Sequence, residues 1–283
     1  MTGPRAGQDP LDSREFGSRF TAGEASDYIR NVSPAVISTI NDFIRATFVT
    51  RGGRMGSGMG LLLEGLWGYH MSQALETHGI EIAWIADNQY NDYACVDALS
   101  DWDPDTREGE LFRIEAKTMN LGADESKGHF AELAKNIDPN DLLLVMTWRW
   151  TDTEDGRRCY PQIVEVFLER ALPLANLRDA LHQARGGSFV SAENCPDGCQ
   201  PSVCSHDGEP LNERGKRERL SGPESRRPSA KVSFAANFGG LFRMVGTRGA
   251  QARAELDRQR KASPIADKYV AFVNHSRGRL DRE

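Results

Sequence analysis

Glu115 and Lys117 stand two residues apart at the end of the apolar run Leu111-Phe112-Arg113-Ile114. On a strand, side chains at i and i+2 share a face, so this run delivers a carboxylate and an amine side by side at the rim of a sheet. Such a pair can hold a divalent metal beside a phosphate. Cleaving a phosphodiester needs that metal to polarise the phosphate and lower the pKa of an attacking water, with a nearby cation to orient the water. Magnesium suits the task, because it takes oxygen ligands, keeps several waters and needs few carboxylates. Upstream acids can complete the set: Asp92 and Asp97 bracket Tyr93-Ala-Cys-Val, and Glu64 sits in Gly-Leu-Leu-Leu-Glu-Gly-Leu-Trp. Asp92 and Asp97 are an odd number of residues apart, so they face opposite sides of a strand and only one can join Glu115. A hairpin turning near Thr106 would set Asp97 opposite Glu115, whereas Asp92 would open the strand. Both remain candidates. The plain alternative for Glu115 and Lys117 is an ion pair on a solvated sheet face, worth little. Glu125-Ser126-Lys127 repeats the spacing, but in a polar stretch with no strand before it.

A second group of ligand-type residues lies further on. Cys195-Pro-Asp-Gly-Cys199-Gln-Pro-Ser-Val-Cys204-Ser-His206 places three thiols and one imidazole within twelve residues, with Pro and Gly that allow tight turns. In a cytosolic chain such clustering favours metal over disulfide, and Cys3His is a tetrahedral structural-zinc set. Zinc binding would also supply folding free energy to a stretch with few apolar residues. The alternative is a loop with free thiols. Arg214, Lys216, Arg217 and Arg219 follow at once, a basic tract able to reach phosphates or, through a bidentate arginine, guanine. His70, His78, His129, His182 and His275 have no matched metal spacing and receive no site role.

The elements that must position these groups read as follows. Residues 1–22 form a flexible lead. Ser33-Pro34 offers an N-cap and first helical residue for a helix running to about Val49. The glycine-rich stretch from Arg51 to Gly60 lacks the Gly-Lys-Ser/Thr ending of a phosphate-binding loop and reads as a helix entrance permitting close backbone approach. A second helix spans Leu61 to Thr77, with His78-Gly79 as its stop. Strands follow at Ile80–Ala86, Tyr93–Leu99 and Leu111–Met119, the last two as an antiparallel hairpin. A short helix near Lys127–Asn136, strands at Asp141–Trp150 and Tyr160–Leu168, and a helix at Ala171–Ala184 complete a core spanning 23–187. The order predicts an α/β or α+β fold, a central mixed sheet flanked by helices. Residues 188–230 read as an irregular zinc-binding and basic loop, and 231–283 as a helical section (Phe234–Val245, Gly249–Lys261) ending in a short element at Tyr269–Val273.

Across residues 54–168 the pattern resembles the PD-(D/E)XK nuclease superfamily, which includes many type II restriction endonucleases and several repair nucleases. The motifs are a helix bearing Glu64, a strand, an acid before or within the next strand, and then Ile-Glu-Ala-Lys. The resemblance implies a restriction-endonuclease-like core in which Asp92 or Asp97 and Glu115 hold Mg2+, Lys117 positions the water, and Glu64 is a further metal- or water-linked acid. It also implies a homodimer cutting double-stranded DNA. The chain departs from the pattern at the second motif, where Asn91 rather than proline precedes Asp92. Two other functions fit the residues: a structure-specific repair or junction-resolving nuclease, and a non-catalytic zinc-containing DNA-binding protein.

Charge distribution agrees with a polyanionic partner. The net charge of −6 combines 17 Lys and Arg against 10 Asp and Glu in residues 205–283 with 18 against 31 in residues 1–204. A basic third can meet phosphates while an acidic body gathers metal. No apolar run approaches the ~20 residues of a membrane span. Met1 to Phe20 carries no apolar signal core, so the expected location is the cytoplasm, without membrane contact.

Overall fold

The computed structural model describes residues 20–51, 58–85, 91–99, 101–122, 134, 137–184, 188–189, 210–211, 241–246 and 252–280. The chain divides into two compact units, Met1–Gly122 with Asp138–Ala171, and Ala123–Ile137 with Leu172–Glu283.

The first unit opens with helix α1 (Ala22–Thr47), which begins about twelve residues before the Ser33-Pro34 start expected from sequence. Thr21 is the N-cap. Its hydroxyl accepts from the Glu24 amide at 3.2 Å, and the Glu24 carboxylate accepts from the Thr21 amide at 2.9 Å, a reciprocal capping box. The reason for the early start is a buried stripe, Ala22, Ala25, Ile29, Val36, Ile40 and Ile44, that runs unbroken past the proline. Burying that stripe outweighs the ~3 kcal/mol cost of an interior proline. Ser33 is buried in the stripe and Pro34 is exposed on the opposite side. Helix α2 (Gly58–Leu75) runs into a 3-10 turn at Glu76–His78, which Gly79 ends in the left-handed conformation at φ 72°.

Five strands then form one mixed sheet in sequence order: β1 (Ile80–Trp84), β2 (Tyr93–Asp97), β3 (Glu110–Asn120), β4 (Leu142–Asp152) and β5 (Cys159–Arg170). Pairing is antiparallel except between β3 and β4, which run parallel. The apolar runs of β3 and β4, the central strands of the sheet, are buried along most of their length. Helices α1 and α2 pack together on one face, over a core that includes Ile29, Ile40, Leu63, Trp67, Phe112, Ile114, Leu144 and Met146. The sheet's ladder is broken on β5, where Thr147 faces Glu165 but Trp148 faces Ile163. There Asn41 of α1 supplies the missing partners, donating to the Ile163 carbonyl and accepting from its amide, both at 2.9 Å.

The β2–β3 connection is held by a buried charge network that the apolar run had concealed. Glu110, fully buried, accepts from Arg113 Nε and Arg107 Nε at 2.8 and 2.9 Å and from the Trp102 indole at 3.1 Å. Asp141, also fully buried, accepts from Arg107 Nη2 at 2.8 Å and from the Arg113 amide at 2.9 Å. Two guanidinium groups thus balance two carboxylates, which is the condition for burying either.

In the second unit, helix α3 (Ala171–Ala184) has the bounds expected from sequence. Strands β6 (Ser188–Phe189) and β7 (Pro210–Leu211) form a two-residue antiparallel pair. Helices α4 (Leu241–Gly246), α5 (Arg253–Ala262) and α6 (Pro264–Leu280) follow. Tyr269–Val273, expected as a short separate element, lies inside the 17-residue α6. A Ser-Pro start does occur here: the Ser263 hydroxyl accepts from the Ala266 amide at 3.3 Å, and Pro264 is the first helical residue. Phe242 of α4 meets Phe272 of α6 at 6.2 Å between ring centroids, and Arg277 lies 5.3 Å over the Phe242 ring. Among the described residues no helix is long and apolar enough to cross a membrane.

Candidate active site

Gly60, Glu64 and Gly68 recur every fourth residue of α2 and so form one stripe. A Cβ at Gly60 would stand 2.5 Å from Thr118 Oγ1, and one at Gly68 would stand 2.6 Å from the Tyr93 ring. The two glycines therefore let α2 lie against β2 and β3, with the Glu64 side chain between them. The Thr118 hydroxyl donates to Glu64 Oε1 at 3.1 Å, and the Tyr93 hydroxyl donates to the Glu64 main-chain carbonyl at 2.6 Å.

Opposite Glu64, β2 and β3 part in a particular way. Tyr93 pairs with Ile114, and the Asp92 amide still donates to the Ile114 carbonyl at 3.1 Å. One step further, side chains take over from the backbone ladder. The Asn91 amide donates to Glu115 Oε2 at 3.0 Å, and the Ala116 amide donates to Asp92 Oδ2 at 2.7 Å. Each acid is thus fastened to the other strand through one oxygen. Glu115 Oε1 pairs with Lys117 Nζ, which also donates to the Ala116 carbonyl at 2.9 Å. Asn91 reaches this geometry with a left-handed backbone, φ 83°.

Asp97 does not join the group. It lies at the far end of β2, paired with Ile80, and its Oδ1 accepts from the Leu99 amide at 3.0 Å. The hairpin does not turn symmetrically about Thr106. A bridge between Asp103 and Glu108, Gly109 at φ 79° and a register shift between Cys95 and Val96 bring Val96 opposite Glu110. Asp92 rather than Asp97 is therefore the neighbour of Glu115.

Electrostatics bind the group into one unit. Burial first, and then the charge of Asp92, push the Glu64 carboxyl up to about 7. Glu115 is also raised, by burial in the first place, with Lys117 opposing. For Lys117 burial is the largest single influence and acts downward, yet Glu115, Asp92 and Glu64 together outweigh it and keep the ammonium firmly charged. Three carboxylates around one ammonium are short of positive charge, and Glu64 answers the deficit by favouring its neutral form.

As they stand, no three His, Cys, Asp or Glu side chains among the described residues are gathered to hold a metal ion. The contacts explain why: Glu115 is drawn to Lys117 and Asp92 to the Ala116 amide. The donor set nevertheless suits magnesium. All the donors are oxygens, the charge deficit is one that a divalent ion relieves, and Lys117 Nζ is a cation already held by Glu115 Oε1 and the Ala116 carbonyl.

Cys195, Cys199, Cys204, His206, Arg214, Lys216, Arg217 and Arg219 lie outside the described residues, as do Glu125-Ser126-Lys127 and the helix expected near Lys127–Asn136, save the single turn residue Ala134. Of the lone cysteines, Cys95 is buried, its thiol pushed up by burial, and Cys159 is half-buried. Sequence reasoning did not pick out Thr118, Tyr93 or Asn91. The fourth-residue spacing of Gly60 and Gly68 about Glu64 was the available signal for the first two. Comparison with known protein families, curated proteins and solved structures gives no match.

Proposed function

We propose that this chain is a Mg2+-dependent endonuclease that hydrolyses phosphodiester bonds in double-stranded DNA, with a restriction-endonuclease-like core. One observation carries the reading: Glu64 of α2, Asp92 just before β2, and Glu115 and Lys117 of β3 meet where β2 and β3 part. A surface ion pair would not be joined by two further half-buried acids. Asp92 and Glu115 are the ligands, each steadied through one oxygen by a backbone amide, with Glu115 Oε1 freed for the ion when Lys117 moves to the water. A magnesium ion bound there would polarise the phosphate and lower the pKa of a water. Lys117, once released from Glu115, donates to the attacking water and orients it. Glu64, poised to exchange a proton near neutrality, accepts one from the water or its hydrogen-bonded neighbour. Hydrolysis adds the water's oxygen to phosphorus and leaves one phosphate monoester and one hydroxyl.

The finer reading is a sequence-specific type II restriction enzyme acting as a homodimer in the cytoplasm. In it the basic tract of residues 214–219 grips DNA, and Cys195, Cys199, Cys204 and His206 hold one structural zinc. Metal analysis should give about one zinc per chain, lowered by Cys199→Ser; zinc-free protein purified without chelator would remove that part. For the catalytic part, Glu115→Ala and Lys117→Ala should each abolish plasmid cleavage while leaving the protein folded. If both variants cut every DNA substrate as the parent does, the assignment fails.

A further inference from the structure

We propose that Asn91 is a substrate-binding residue of this site, whose side-chain amide donates to a non-bridging oxygen of the phosphodiester being cleaved; the proposal rests on the nuclease reading. Asn91 is 5% exposed, and its side-chain Nδ2 is enclosed without a hydrogen-bond partner among the described residues. Its own backbone amide is spent on Glu115 Oε2 at 3.0 Å, and it immediately precedes Asp92. A donor of this kind, buried and unmet, is costly, and native proteins rarely leave one without a protein, water or ligand partner.

The choice of residue points the same way. The left-handed backbone at φ 83° excludes proline, which also lacks the amide hydrogen that Glu115 receives. Glycine would adopt this conformation at less cost and bury no polar atom, so the backbone alone does not call for asparagine. The neighbouring groups are carboxylates. A neutral amide beside them can donate to a phosphate oxygen without adding a positive charge that would compete with a divalent cation, as a lysine or arginine would.

Asn91→Gly is the informative variant, because it keeps the backbone conformation and the amide bond to Glu115 while removing only the side chain. In the full-length protein, plasmid cleavage in Mg2+ gives kcat/KM, and Mn2+ binding without DNA reports the acids independently. The expected result is a fall of roughly 10- to 100-fold in kcat/KM, the worth of one hydrogen bond to a charged group, with Mn2+ affinity unchanged. Asn91→Asp, nearly isosteric but lacking the NH2, should fall at least as far and serves if the glycine variant does not fold. Wild-type cleavage by both variants overturns the proposal and leaves the nuclease reading intact. An equal loss of Mn2+ affinity in Asn91→Gly also overturns it, since Asn91 would then act by arranging the carboxylates. A parent protein that cleaves no DNA removes the nuclease reading and the proposal with it.

Discussion

Glu64→Gln should make the protein's stability less sensitive to pH, by an amount set by the burial of that carboxyl. Glu64 ionises near 4.5 in the unfolded chain and near 7 in the folded one. Between those values the folded protein holds a proton that the unfolded chain has shed, so a rising pH favours unfolding. The stabilisation from this group is complete below the unfolded value and is lost as the pH climbs through the folded one. Integrated over that interval, the loss is roughly 3 kcal/mol. Glutamine has nearly the same shape, stays neutral and can still accept from Thr118. Urea unfolding of both proteins at pH 4.5 and pH 8 reads the effect. The variant should gain about 3 kcal/mol on the parent between the two pH values. Titrating groups away from Glu64 are common to both proteins and drop out of the comparison. Parallel pH profiles would refute the reasoning, because they would mean that Glu64 is neither desolvated nor felt by Asp92.

Two further outcomes follow from packing and from buried charge. Gly68→Ala, which would stabilise an open helix, should instead destabilise by about 1–2 kcal/mol in urea unfolding, since the new methyl meets Tyr93 at 2.6 Å and Trp84 at 3.2 Å. A stabilised variant would show that α2 does not lie so close to β2. Arg113→Met leaves Glu110 fully buried with fewer partners and should cost about 3 kcal/mol, the low end for a broken buried pair because Arg107 and Trp102 still donate to it. An unfolding free energy within 1 kcal/mol of the parent would contradict this.

Much of the sheet was legible because its strands announce themselves locally. Leu142-Leu-Leu-Val-Met is an apolar run too short for a membrane and too bulky and apolar for a loop, and it became the buried start of β4. Glu115 and Lys117 were legible for the same reason, as the end of such a run. What escaped was decided by distant contacts. Ser33-Pro34 carries a strong local start signal, yet the burial of Ala22, Ala25 and Ile29 against the core extends α1 across it. The choice between Asp92 and Asp97 depended on hairpin register, which one residue's shift near Cys95 and the buried Glu110–Arg113 pair determine. Neither is visible as a pattern in the chain. The setting of Asn91 was hidden further, since a departure from proline at that position reads as a weakness of the motif until its left-handed backbone and its bond to Glu115 are seen.

On the proposed reading Asp92, and not Asp97, works with Glu115 as a ligand of a catalytic ion. Plasmid cleavage in Mg2+ by the parent, Asp92→Asn and Asp97→Asn tests it most directly. Asparagine preserves the oxygen that Leu99 needs at position 97, so both variants can fold. The expected result is a loss of more than about 100-fold for Asp92→Asn and near-parental cutting by Asp97→Asn. Cleavage that survives at position 92 and vanishes at position 97, or a folded parent that cuts no DNA in Mg2+ or Mn2+, would contradict it.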